Sequence, residues 1–133
     1  MRYKGSALLL AVLGLLLSGL PTFAHHSFSS EFDGDKETKI KGVITKVDWI
    51  NPHAYWHIDV TTPTGEIEHW TIESLSPGEW RAAKVTRDLA GKVGDTVEAD
   101  VFLARDGTKH MAWSTKYTFG DGHSIEATCP RGR

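Results

Sequence analysis

Seven histidines, at positions 25, 26, 53, 57, 69, 110 and 123, carry most of the chemical potential of this 133-residue chain. Imidazole is a common metal ligand, and nitrogen-rich tetragonal sites select Cu(II). His25 and His26 stand out by position. Arg2 and Lys4 give a positive start, Ala7 to Leu20 is apolar apart from Gly14, Ser18 and Gly19, and Thr22-Phe23-Ala24 has the form of a small-x-small cleavage site. That three-part pattern is an export signal over residues 1–24, whose apolar run is too short for a comfortable membrane span. Cleavage after Ala24 gives His25 a free α-amine beside its imidazole, a two-nitrogen chelate for copper. Cleavage one residue earlier places a histidine third, the square-planar amino-terminal arrangement. Either chelate needs a further ligand, for which His53 is the choice. His57 lies four residues on and shares the same outward strand face. The metal candidates are therefore His25, His26, His53 and His57. Against this stands a plainer account in which His53 orders a turn, while His57, His69 and His110 are ordinary half-exposed strand residues and His123 sits solvated on a glycine-flanked turn.

Other chemistry is thinly represented. The chain has no Gly-x-Ser-x-Gly elbow, no His-Glu-x-x-His, no Cys-x-x-Cys and no glycine-rich phosphate loop. Glu66 with Glu68 reads as a solvated strand face, and of the pair Glu73 and Glu79 the second is used in a helix cap. A non-catalytic protein is expected. The chain carries 15 basic and 17 acidic residues; without Arg2 and Lys4 the count is 13 against 17, a formal charge of −4. That balance gives no broad attraction for nucleic acid or anionic lipid. Removing 24 of 133 residues leaves 109, enough for one domain with one core. Cys129 is the single cysteine, so the fold has no internal disulfide, although the export signal implies a compartment where disulfides form.

The elements that must position these residues are mostly strands, separated by turn signals at roughly 8 to 12 residues. The first covers 38–49, β-branched, with Gly42 where a coiled strand needs a bulge or bend. Asn51-Pro52 turns the chain into a second strand over 54–62, where Ala54, Trp56, Ile58 and Val60 alternate inward. A third covers 66–75. Ser76-Pro77-Gly78-Glu79 has the form of a capping box and predicts a helix over 77–89. Strands over 96–105 and 108–119 are joined at Asp106-Gly107, and a short last strand covers 123–128. The fold class is thus mainly β: a small OB-like Greek-key barrel of five to six strands, with one helix between strands three and four. Its domain occupies 38–128, after an N-terminal arm at 25–37 and before a tail at 129–133. Trp56, Trp70 and Trp113 read as core, while Trp49 and Tyr55, near the Asn51-Pro52 turn, form a candidate ligand rim.

The segments His25-His26-Ser27-Phe28, Ile40 through Ala54 with its Trp49-Ile50-Asn51-Pro52-His53 centre, Gly94-Asp95-Thr96-Val97 and Arg105-Asp106-Gly107 together resemble the exported family called domain of unknown function 6152. The resemblance covers nearly all of the chain after the signal and implies export and a small β-barrel. It implies no activity, cofactor or catalytic residue. The expected function is an exported non-catalytic binding or accessory module, periplasmic or secreted, serving a small molecule or an envelope protein. The alternative is a periplasmic copper-binding protein that uses His25.

Overall fold

The computed structural model describes residues 28–128. The export signal, His25, His26 and Cys129 lie outside the described residues. A four-residue helix, α1 (Phe28–Glu31), leads into β1 (Phe32–Asp48), followed by β2 (Tyr55–Thr61), β3 (Ile67–Glu73), α2 (Pro77–Ala82), a 3₁₀ turn at Arg87–Leu89, β4 (Thr96–Ala104), β5 (Met111–Phe119) and β6 (Ser124–Glu126). The strands pair in the order β3-β2-β1-β4-β5-β6, and a parallel pairing of β3 with β5 closes the first five into a barrel. Closure removes the exposed edges that an open sheet of this size would present. The outer edge of β5 is shared. Its start pairs with β3 through Glu73 and Trp113, and its end with β6 through Tyr117 and Ile125.

Alternation along the strands builds the interior. Ala54, Trp56 and Ile58 are fully buried, as are Ile44, Ile72, Val97, Ala99 and Val101. Trp80 of α2 closes the barrel, with its ring 5.8 Å from Trp56 and 6.3 Å from Tyr117. The helix starts as its capping box dictates. Ser76 Oγ accepts from Glu79 N at 3.2 Å, and Ser76 N donates to Glu79 Oε2 at 2.9 Å.

It ends much earlier than the expected Leu89. Lys84 takes a left-handed φ of 66°, Val85 N donates to Trp80 O at 2.9 Å, and Lys84 N donates to Arg81 O at 3.0 Å. This is a Schellman closure with lysine where glycine is usual. The apolar Val85, drawn into the core beside Trp80, stops the helix where the basic stripe alone would have continued it. Because an L-residue is disfavoured in that conformation, Lys84→Gly is expected to raise stability by about 1 kcal/mol, measured as the urea midpoint. An unchanged midpoint would contradict this account of the helix end.

The N-terminal side also departs from expectation. β1 begins at Phe32 rather than Thr38, so much of the anticipated arm is strand. Phe-Asp-Gly-Asp-Lys-Glu has little strand propensity. It is held by β4, whose pairing slips from Phe32–Ala104 to Glu37–Phe102 across a bulged stretch. Phe28 stacks on the buried Phe32 at 6.0 Å and packs edge-on against Phe102 at 5.4 Å and Trp113 at 4.9 Å. Trp113 is therefore buried beneath the N-terminal segment as well as within the sheet. The β4–β5 connection is a loop over 105–110, longer than the tight Asp106-Gly107 hairpin expected, and β5 starts at Met111.

A cavity under the N-terminal helix

The described histidines sort by partner. His57 Nε2 donates to Asp48 Oδ2 at 3.0 Å, and its Nδ1 lies 3.4 Å from the Thr71 hydroxyl. His69 Nδ1 donates to Asp59 Oδ1 at 2.6 Å. His110 lies tilted against Trp70, with ring centroids 5.2 Å apart, and faces Glu68 at 3.5 Å. His123 stacks on Phe119 at 4.2 Å and binds Asp121, whose hydrogen bond raises the imidazole above its ordinary range. His53 precedes β2, following the cis Asn51-Pro52 bond, and donates from Nδ1 to Ser74 O at 3.0 Å.

His53 and His57 thus turn to opposite neighbours, the first toward the end of β3 and the second toward Asp48 on β1. Among the described residues no group of three or more His, Cys, Asp or Glu is placed to hold a metal ion. Trp49 is half-buried, edge-on to Trp56 with centroids 6.0 Å apart. Tyr55 is half-buried and stands directly across from Glu73 in the β2–β3 register.

Glu73, weighed from sequence only as a carboxylate partner of Glu79, takes a different place in the structure. It is 8% exposed, and Ser30, Glu31, Phe32, Ala104, Asp106, Thr108 and Met111 line with it a cavity of about 370 Å³. Strand alternation puts Glu73 on the outer face, opposite Ile72, so from sequence it reads as solvated. It is buried because the N-terminal segment covers that face. Arg105 fixes the cover: its backbone N–H donates to Glu31 O at 2.8 Å and its Nε to Ser29 O at 3.1 Å. His53 faces it, with Nε2 at 3.6 Å from Glu73 Oε1. That separation is beyond hydrogen-bond reach.

Burial pushes the Glu73 carboxyl above the ordinary carboxylate range; His53 opposes the shift and Glu31 adds to it. Burial likewise raises Tyr55, with the charges of Glu73 and Glu31 acting in the same direction. A carboxyl whose folded pKa is raised binds its proton more tightly folded than unfolded. Stability therefore falls as pH rises from the ordinary carboxylate range up to the raised value. Glu73→Gln removes that dependence. Its melting temperature is expected to gain on the wild type as pH is raised from about 3 to about 8, whereas a constant difference would contradict the burial of the charge.

A closed barrel in the order β1-β2-β3-β5-β4, with a helix between β3 and β4, has the OB topology. The chain belongs to the family of unknown function DUF6152, whose model matches residues 13–113. No curated protein matches the sequence. Among solved structures it is similar to the mitochondrial single-stranded DNA binding protein Rim1 from S. cerevisiae, at 12% identity and a TM-score of 0.44, over 64% of this chain and 93% of that one. No helix of the described residues is long and apolar enough to cross a membrane.

Proposed function

We propose that this protein is an exported, non-catalytic binding module that takes a small ligand in the cavity between α1, the end of β3 and the β4–β5 loop. The observation that carries the reading is Glu73, a buried carboxyl that lines the cavity and faces His53 Nε2 at 3.6 Å. That ion-pair neighbour stands beyond hydrogen-bond reach, so the carboxyl keeps capacity for a donor brought by a ligand. The cavity falls within the size range of small-molecule sites. Export rests on the pattern of residues 1–24.

Two measurements test the proposal. Intact mass of the protein from an exporting cell is expected to show loss of residues 1–24; full-length protein would remove the export reading. Protein purified natively from that fraction is expected to release a small compound on denaturation. Re-addition should shift the backbone resonances of Phe32, Glu73 and Met111. Protein that carries nothing and does not respond to its own cell extract would remove the binding reading.

A second reading, copper chelation by His25 with His26 or His53, is favoured by reach. Phe28 packs against Trp113, the register partner of Glu73. His25 lies three residues before Phe28 in sequence, a span of at most about 10 Å. On this reading the mature protein binds one Cu(II), and His25→Ala abolishes the binding. Unchanged stoichiometry and affinity in both His25→Ala and His53→Ala would discard it.

A further inference from the structure

The cover over the outer face of the barrel is lightly rooted. α1 contains no buried residue, and of its four side chains only Phe28 is half-buried. Phe28 sits edge-on to Phe102 and Trp113. The backbone of α1 is held from across the cavity by Arg105, whose N–H donates to Glu31 O at 2.8 Å and whose Nε donates to Ser29 O at 3.1 Å. Arg105 lies between Ala104 and Asp106, which line the cavity on one side, while Ser30, Glu31 and Phe32 line it on the other. One arginine therefore fastens one wall of the cavity to the opposite wall.

The residue after α1 is anchored differently. Phe32 is 2% exposed, and it pairs with Ala104 at the start of the β1–β4 ladder. Withdrawing it would return a large apolar side chain to water, a cost that moving α1 alone does not incur. Beyond Phe32 the register with β4 skips to Glu37, and the stretch between is tied locally, Asp33 Oδ1 accepting from Asp35 N at 3.2 Å and Asp33 Oδ2 facing Lys36 Nζ at 3.3 Å. The chain thus stays in place from Phe32 onward whatever α1 does.

Resting on the binding-module reading above, we infer that α1 is a strap that lifts about Phe32 to admit ligand to the cavity, with Arg105 as its latch. On the export reading only His25, His26 and Ser27 precede α1, so a single pivot suffices. Segments that bury little apolar surface open in units of their own, at far lower cost than the core. Lifting α1 takes Ser30 and Glu31 out of the lining and leaves an open groove beside Glu73 and Met111.

Amide hydrogen exchange of the mature protein tests this motion without any ligand. The Arg105 N–H reads the latch, because it donates to Glu31 O, and the Ile44 N–H, which donates to Asp95 O at 2.9 Å, reads the barrel. In the wild type, Arg105 is expected to exchange at least about tenfold faster than Ile44, at a rate that sub-denaturing urea leaves unchanged while Ile44 accelerates. Arg105→Gln keeps the N–H but removes the guanidinium, and should speed exchange at position 105 by about tenfold with Ile44 unaffected. Phe28→Ala should do the same, and stands in should Arg105→Gln fold poorly. Met111 gives a chemical readout, since it lines the cavity and is the only methionine besides Met1. Its oxidation to the sulfoxide by hydrogen peroxide, read by peptide mass, should be roughly threefold faster in both variants. Arg105 exchanging in step with Ile44, or Met111 oxidation unchanged in both variants, would overturn the strap. Either result leaves the binding-module reading standing, because that reading is decided by the compound released on denaturation. Exchange as expected in protein that carries nothing and ignores its own cell extract would remove the binding reading, and with it the role of the strap in admitting ligand.

Discussion

Trp56→Ala is expected to lower the unfolding free energy by about 4 kcal/mol, a large part of the roughly 5–15 kcal/mol that holds a domain of this size together. Trp56 is fully buried and sits at the centre of the interior aromatic cluster, stacked on Tyr117 at 4.4 Å and edge-on to Trp49 at 6.0 Å and Trp80 at 5.8 Å. It also does something the other rings do not. Its Nε1 donates to Ala90 O at 2.8 Å, fastening the segment after the 3₁₀ turn to the barrel wall. Trp80, equally buried, has an Nε1 with no partner among the described residues. The two tryptophans should therefore separate in their phenylalanine variants. Trp56→Phe keeps an aromatic ring but strands a buried carbonyl, at a cost of about 2 kcal/mol beyond packing, whereas Trp80→Phe loses packing alone. Urea denaturation of both variants measures the difference. Equal losses would mean that the bond to Ala90 contributes nothing net.

The interior was legible because its code is local. Ala54, Trp56 and Ile58 alternate with polar residues, and a strand with one face buried admits only one register. The Ser76–Glu79 capping box likewise lies within four residues, and both its bonds are present. What escaped was set by contacts distant in sequence. The run from Phe32 to Glu37 is polar and becomes strand only because β4 lies beside it. Gly42 was read as a site for a bulge or bend, yet the β1–β2 register shift falls between Ile44 and Lys46.

The candidate site was legible at its edge and obscure at its centre. His53 and Tyr55 were singled out from the Asn51-Pro52 turn, and both stand beside Glu73. Glu73 itself has an outward alternation phase, and nothing near it in sequence says that α1 will cover it. Histidine spacing carries limited information for a related reason. An even spacing of four residues sets a common face but not a common partner: His57 pairs with Asp48, whereas His53 faces Glu73.

Gly42→Ala is the second large effect, expected to cost about 3 kcal/mol and to lower the melting temperature by on the order of 15 °C. The reason is proximity rather than backbone conformation. A Cβ on Gly42 would lie 2.2 Å from Asp59 O, 2.7 Å from Ile58 Cγ2 and 2.9 Å from the Asp59 carbonyl carbon. Two of those three atoms are backbone, so no rotamer change relieves the contact. The neighbouring pairs Val43–Asp59 and Ile44–Ile58 fix β2 in place, and Gly42 itself pairs with Val97 of β4. Relief would require β1 to move away from β2 at a barrel seam, disturbing the ladders on both its sides. Gly78 is the control. It lies within α2, a Cβ there would meet nothing closer than Ser76 Oγ at 3.7 Å, and alanine is the better helix former by about 0.5–1 kcal/mol. Gly78→Ala should therefore leave the melting temperature unchanged or slightly higher. A Gly42→Ala variant that melts within a few degrees of the wild type would show that the two strands separate at little cost, and that the barrel wall does not rigidly support the cavity on its outer face.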